Sequence, residues 1–447
     1  MPDGSGHMQP FLDQALAGAK GAPGAKAAGW LSDLRGRGAA IYGDHGLPSR
    51  RDEYWRYTNL NALTKSDYQL ANGAPAIDVP PLPHRAVAEL ASYRIVFVNG
   101  HLRPDLCVLD DMPEGVLIAG LGDMIAAAPD RLQSVLGQNV DLNALPLAAL
   151  NTAFMHDGMV LFVDDGVSID KPVHLVSIAV PSDTPMMLQP RHLVVLGDGA
   201  KATLIESHIG GSGGAYFNNL VSELTLGERA DLNHYTFQEE GPAAVHIAAT
   251  ALNLAAGASY GGFVLQSGGL IGRIETRAIL SGPGADCRLD GIYLGTGSQV
   301  LDNTIYVEHA ATGCRSRQVY KGVLDGRARG VFQGKILVRR GAQQTDGYQL
   351  SRTLLLSPRA EIDTRPELEI YADDVKCSHG ATVGELDGEA MFYLMSRGIA
   401  YDAARRILVE AFVSEALSEI RLSQVAEDFS AHVRNWLGAN IQLAAAE

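Results

Sequence analysis

The sequence predicts a mainly β protein whose core is a parallel β-helix, flanked by helical segments at its two ends. Three observations carry that expectation. From about residue 92 to residue 376 the chain is written in short β-type runs of five to eight residues, separated by Gly, Asp and Asn, with no helical period among the later ones. A weak internal repeat runs through the same stretch. LGDGAKATLIES, LGERADLNHYTF, LAAGASYGGFVL and SGPGADCRLDGI each set a glycine-containing turn before an alanine, so that Ala200, Ala230, Ala258 and Ala285 recur about 28 residues apart. A propeller blade needs about 40 residues, whereas coils stacking along one axis need only strands and turns. The third observation is the switch to a helical period after Asp387.

Taken in order, residues 1 to 8, MPDGSGHM, resemble a cloning scar ahead of an original start at Met8 and are set aside. Residues 9 to 90 form an N-terminal helical segment with a linker. In QPFLDQALAG and AAGWLSDLRGRGAAIYGDHG the apolar residues, Trp30, Leu31, Leu34 and Ala39 among them, recur at helical spacing before a glycine stop. The linker is ANGAPAIDVPPLP at 71 to 83, where prolines remove donors and keep the backbone extended. The β-helix core is expected over 91 to 380, each coil covering its neighbour and the two end coils left as exposed edges. Residues 381 to 447 form a C-terminal helical domain. Asp387 is its first N-cap and Gly398 a C′ stop, and YDAARRILVEAFVSEALSEI follows as a second helix. That helix carries two adjacent apolar rows, Leu408, Phe412, Ala416 and Ile420 beside Val409, Val413 and Leu417, wider than one packing seam needs. One row is left to face a partner protein.

The totals narrow the function classes. A chain of 447 residues, 46% hydrophobic and 19% charged, has the apolar content to bury real cores. The longest apolar runs, such as IVFV at 95 to 98 and HLVVL at 192 to 196, are strand-sized and far short of a bilayer span. Four cysteines, at 107, 287, 314 and 377, have no CxxC spacing and no signal-peptide h-region ahead of them, so reduced thiols in a cytoplasm are expected. A net charge of −15 disfavours nucleic acid and anionic membrane as partners, although Arg327, Arg329, Arg339 and Arg340 could form a local basic patch.

Several motifs are tempting and weak. GVFQGKIL at 330 to 337 has too few residues between its glycines for a phosphate loop and reads as a strand pair. GGSGG at 210 to 214 satisfies GxSxG through Ser212, but without a helix on either flank it reads as a glycine loop. Glu239 with Glu240, or Asp373 with Asp374, could serve a carbohydrate-active β-helix enzyme, yet adjacent residues on a strand face opposite ways and aromatics are only 6% of the chain.

Cys377 and His379 are the stronger pair. At i and i+2 on a strand both side chains share one face, close enough to share a metal, and a thiolate beside an imidazole suits iron, zinc or an iron–sulfur cluster. Two ligands are too few for a closed site, so the rest would come from elsewhere in the chain or from a second chain. The competing reading is a buried Cys and a hydrogen-bonded His at a domain junction.

DVKCSHGATVGELDGEAMFYLMSRGI at 374 to 399, LPSRRDEYWRYTNL at 47 to 60 and LNTAFMHDGMVLFV at 150 to 163 together resemble the SufB/SufD family of iron–sulfur cluster assembly proteins, and KCSHGATVG followed by FYLMSRGI resembles its SufD branch. The resemblance implies a right-handed parallel β-helix. It implies a noncatalytic scaffold subunit that pairs with a SufB-like subunit, holds a SufC-type ATPase through its C-terminal helices, and shares a transient iron–sulfur cluster at the subunit interface. His379 would face a partner cysteine there, with Cys377 matching the pattern as a second ligand. A reduced flavin in the complex is a further expectation of the resemblance. Glu53, Trp55, Arg56 and Tyr57 read as packing anchors of the helical segment on the β-helix, with a site role at an interface as the alternative, since Trp, Tyr and Arg are enriched there. Two other readings stay open, a carbohydrate-active enzyme and a purely structural homodimer in which Cys377 and His379 never meet metal; separately, a homodimer by sheet-end pairing is expected when the chain is without its partner.

Overall fold

Left-handed corners set the architecture. In the computed structural model, which describes residues 29–75, 85–180 and 182–444, Gly199, Arg229, Gly257, Gly284, Gly313 and Gln344 all adopt φ between 58° and 70°. Each donates its backbone N–H to a carbonyl of the next coil, Gly199 to Glu228 at 2.7 Å and Gly284 to Thr312 at 3.0 Å for example. The residue that follows each corner turns inward, and Ala200, Ala230, Ala258, Ala285 and Cys314 are fully buried. A positive φ followed by a small inward residue is what a chain needs to turn sharply from one sheet into the other. This is the glycine-then-alanine repeat of the sequence, with Arg229 and Gln344 accepting the left-handed conformation at a cost of about 1–2 kcal/mol each.

Between corners the chain alternates between two sheets. One runs from Glu361–Ile370 back through Arg329–Val338, Val300–His309, Ile271–Leu280 and Ala244–Leu254 to Tyr216–Leu226 and earlier strands. The other runs from Val375–Gly384 through Thr345–Leu355, Arg315–Leu324, Asp286–Gly295 and Ser259–Gln266 to Asp231–Glu239 and beyond. All the pairings among these strands are parallel, and the result is a parallel β-solenoid of about 8 turns, as the repeat predicts. GVFQGKIL, expected to be a strand pair, lies within the single strand Arg329–Val338, because Gly334 continues the ladder opposite Ile305 and Pro366.

Both faces of each sheet are covered in the middle of the solenoid, so strands such as Tyr216–Leu226 are buried almost throughout. Inward residues of the two sheets, Leu204, Leu224, Leu232 and Leu252 among them, form the interior core. The outer face of one sheet is covered by the N-terminal segment, where Tyr42, Trp55 and Leu60 and the helix Pro146–Phe154 pack against Phe217, Val221 and Val245. The helix Gly29–His45 crosses Pro146–Phe154 so closely that a Cβ on Gly38 would lie 2.8 Å from the Ala149 carbonyl oxygen. The expected helix around QPFLDQALAG, the scar at 1 to 8 and residues 76 to 83 of the linker lie outside the described residues.

The outer face of the other sheet is covered by the C-terminal helices Tyr401–Leu417 and Ser423–Ala444. Val409, Val413, Ala416, Ile420, Phe429 and Val433 pack on Ile205, Phe237, Phe263, Ile292 and Val323. Here the structure corrects an expectation. The wide apolar face of Tyr401–Leu417, with Ile420 just beyond it, meets its own sheet and its neighbouring helix, so that among the described residues no row from Phe412 to Ile420 is left free for a partner. Two elements had to be covered, which is why two adjacent rows were apolar. Among the described residues no helix is long and apolar enough to cross a membrane.

Candidate functional site

The strand Val375–Gly384 is the last of its sheet. It pairs with Thr345–Leu355 on one side and, among the described residues, has no strand on the other, with Cys377 opposite Gly347 and His379 opposite Gln349. Its companion at the open end, Glu361–Ile370, is the last strand of the second sheet. The two edges differ. Glu361–Ile370 carries Pro366 and is dense in charge, with Arg329 on Asp363 and Lys335 on Glu367 and Glu369, the features that discourage edge pairing. Val375–Gly384, VKCSHGATVG, has a single charged residue and no proline. Exposed apolar side chains ring the same end: Tyr348, Ile370, Tyr371 and Val383.

Cys377 and His379 share the inward-facing side of that strand, as their i, i+2 spacing requires. Val375 and Cys377 pack against Ile336, Val338, Ala342 and Ala372. Gly347 leaves the thiol room, since a Cβ there would sit 3.4 Å from Sγ. Burial pushes the Cys377 thiol up, the Gly347 backbone N–H draws it back, and Asp346 raises it further. The thiol is therefore protonated in the isolated chain, and ligation requires a metal to displace the proton. His379 is exposed at the mouth of the solenoid. It continues a column of inward residues in which Gln349 donates from Nε2 to Oε1 of Gln318 at 2.7 Å. Among the described residues no group of three or more His, Cys, Asp or Glu side chains is arranged to hold a metal ion. The pair thus offers two donors on an open edge.

A second surface lies beside it in the chain. Asp387 caps the helix Gly388–Ser396, accepting from the backbone N–H groups of Glu389 and Ala390 at 2.8 and 3.2 Å, and Gly398 ends the turn after it at φ 84°. That helix buries only Met391 and leaves Phe392 75% exposed, with Tyr393, Met395, Tyr401 and Ile407 also exposed. Phe392, Tyr393, Leu394, Ile407 and Leu408 line a cleft of about 800 Å³. The free apolar surface is on this short helix, which the two-row argument overlooked because nine residues give too little period to judge a face.

The other expectations resolve individually. Ser212 lies in a loop between the strands Lys201–Gly210 and Tyr216–Leu226, without a helix on either side. Glu239 and Glu240 diverge: Glu240 is buried against Asn218, Gln238 and His246, while Glu239 lies 3.7 Å from His432. Asp373 and Asp374 are exposed in a bend. In the expected basic patch Arg329 and Arg339 are neutralised by Asp363 and Glu308.

Inside the solenoid is a polar cluster that the sequence reading missed. Glu206 Oε2 lies 3.0 Å from His208 Nε2 and Oε1 lies 3.2 Å from His234 Nε2, all three buried. Burial would raise Glu206, but His234 and His208 hold it well below the usual carboxylate range. Glu240, opposed by burial in the same way, is drawn down to about 2 chiefly by His246. The signal in sequence was inward-facing polar residues at period two, His208 after Glu206 and Gln238 before Glu240.

The chain matches the family model described as SUF system FeS cluster assembly, SufBD core domain, over residues 178–412. It matches the SufBD protein N-terminal region over 22–175. It is 35% identical over 405 residues to an iron–sulfur cluster assembly SufBD family protein of Synechocystis sp., covering 88% of each chain. It is 33% identical over 380 residues to the iron–sulfur cluster assembly protein SufD of Escherichia coli, covering 84% of this chain and 86% of that one. A SufD of Bacillus subtilis is 26% identical over 312 residues, covering 68% and 70%.

Proposed function

We propose, from the premise that this chain belongs to the SufB/SufD family of iron–sulfur cluster assembly proteins and to its SufD branch, that it is the noncatalytic scaffold subunit contributing half of a shared assembly site. Its role in iron–sulfur cluster assembly by the SUF system follows from the family. The finer reading adds a SufB-like partner on the open strand Val375–Gly384 and a SufC-type ATPase on the exposed face of Gly388–Ser396.

One observation carries it. Cys377 and His379 stand on an edge that is unpaired among the described residues and carries one charged side chain, Lys376, and the described residues supply no third ligand. A parallel strand with free backbone donors and acceptors accepts a second strand readily. Partner thiolates brought in by that pairing would complete a shell for the nascent cluster, which is cargo and not a resident group of this chain. His379 can ligate iron as a neutral imidazole without first leaving an apolar environment. Cys377 must lose a proton whose removal burial opposes, so its ligation is coupled to proton release. A mixed and incomplete shell keeps the cluster transferable.

The apolar cleft around Phe392 follows the edge strand after only a short connection, Glu385 to Asp387, so a movement of a docked ATPase would be transmitted to the assembly site through three residues. Four free cysteines support a reducing, cytoplasmic setting. A carbohydrate-active reading loses the support of Glu239 and Glu240, which point apart.

The test is anaerobic co-expression with SufB-like and SufC-like partners, comparing wild type with His379→Ala. The expected result is an intact complex in both, with iron–sulfur absorbance lost in the variant. Equal absorbance in both would remove His379 from the assembly site.

A further inference from the structure

Away from the open strand, the motif LPSRRDEYWRYTNL divides its side chains between two tasks. Trp55 and Thr58 turn inward. The Arg273 guanidinium lies 4.1 Å from the centre of the Trp55 ring. Arg273 also donates to the Tyr54 carbonyl at 3.0 Å and is paired with Asp302, to which the Thr58 hydroxyl donates as well. These contacts fix the short turn Glu53–Trp55 to the sheet. The remaining side chains turn outward, and Arg50, Arg51, Glu53, Arg56 and Tyr57 with Arg365 line a cleft of about 560 Å³.

The charge balance of this cleft is unusual for a chain with net charge −15. The two acids of the motif are already engaged. Asp52 accepts from the Ser49 backbone N–H at 2.7 Å and from its hydroxyl at 3.1 Å. Glu53 takes Arg365 at 2.5 Å. Arg50, Arg51 and Arg56 have no acidic partner among the described residues. Arg50 donates from Nε to the Arg56 carbonyl at 3.1 Å, which fixes that guanidinium at the cleft and leaves its terminal nitrogens free. Three like charges crowd one cleft on an anchored turn. Such an arrangement favours an anion between the charges.

We propose that this cleft binds a phosphate group, either as the free anion or carried on a small organic ligand. Phosphate matches the guanidinium fork with several acceptor oxygens and two charges, so one group can engage more than one arginine. The volume lies within the range of small-ligand sites, and the half-buried Tyr57 offers a ring face beside the cations. An acidic peptide would need an extended groove, whereas the lining of this open cleft is confined to six side chains from one short motif and one strand. Trp55, held by Arg273, pre-orders the site before a ligand arrives. The proposal is independent of the assembly site at Cys377 and His379.

The test is isothermal titration of the full chain with inorganic pyrophosphate and, separately, with adenosine monophosphate, at low and at raised ionic strength. Saturable binding at one site per chain is expected, weakening with salt. Arg51→Gln and Arg56→Gln should each weaken it about tenfold and the double variant about a hundredfold, while Arg340→Gln, on a separate surface, leaves it unchanged. Pyrophosphate binding as tightly as the nucleotide identifies the free anion as ligand. Tighter nucleotide binding identifies phosphate carried on an organic group. Both support the proposal. Absence of saturable heat with either probe at millimolar concentration overturns it in the wild type alone, as does binding that the double variant leaves intact or that Arg340→Gln weakens equally.

Discussion

Phe392→Ser tests the ATPase dock with little ambiguity about folding. The side chain is 75% exposed and belongs to none of the buried clusters, so its loss should change the urea midpoint by less than about 0.5 kcal/mol in stability. An aromatic side chain presents about 150–250 Å² when wholly covered, so a partner that seats Phe392 removes roughly 110–190 Å² from water. At about 25 cal/mol per Å² that is roughly 3–5 kcal/mol, and ordering the side chain returns about 1 kcal/mol. A net loss of about 2–4 kcal/mol predicts a Kd for the SufC-type ATPase raised about 30- to 1,000-fold. Titration calorimetry between the purified subunits measures it directly. The contrasting variant is Val413→Ser, on the buried row of the next helix at 1% exposure, which should lower stability by about 2–4 kcal/mol. If Phe392→Ser binds within twofold of wild type, the exposed face of Gly388–Ser396 is not the dock and the reasoning fails.

Three further outcomes follow from the solenoid and its corners. Arg273→Met should cost about 3–5 kcal/mol in urea unfolding, because Asp302, paired at 2.5 Å, is left buried with its charge uncompensated, and a cost below 1 kcal/mol would refute the anchoring role of this residue. Glu240 has a folded value of about 2 against 4.5 for the free group, so it contributes stability above about pH 4.5 that is lost as pH falls toward 2, roughly 3 kcal/mol in all. The stability gap between wild type and Glu240→Gln should therefore narrow steadily from pH 5 to pH 2, and a gap independent of pH would refute it. Gly284→Val should cost about 1–2 kcal/mol from the corner conformation alone, since φ is 70° there and no atom lies within 4 Å of the added Cβ; an unchanged thermal midpoint would show that the corner tolerates a branched residue.

How much of this was legible beforehand depended on the range of the interaction responsible. The corner repeat could be read because its cause is local: a left-handed residue and a small inward neighbour occupy adjacent positions in every coil, as at Gly257 and Ala258. The shared face of Cys377 and His379 is also local, being fixed by the two-residue period of a strand. Asp387 as N-cap and Gly398 as stop belong to the same class.

What failed required knowledge of which surfaces meet. The apolar rows of Tyr401–Leu417 looked like a surplus for a partner until the sheet and the helix Ser423–Ala444 were seen to need both. The motif at 47 to 60 gave no sign of which side chains would face Arg273 and which would gather with Arg365, because those partners lie more than 200 residues away in the chain. Glu206 and His234 belong to different coils and meet only through stacking.

The sequence by itself determined the coil, its corners, the helix ends and the donor pair at 377 and 379, since each arises from forces acting over a few residues of backbone. Tertiary structure alone decided that the donor pair stands on an unpaired edge, that the free apolar face is Phe392 and its neighbours, and that three arginines share one cleft. Exposure, unlike conformation, is a property of what the rest of the chain leaves uncovered.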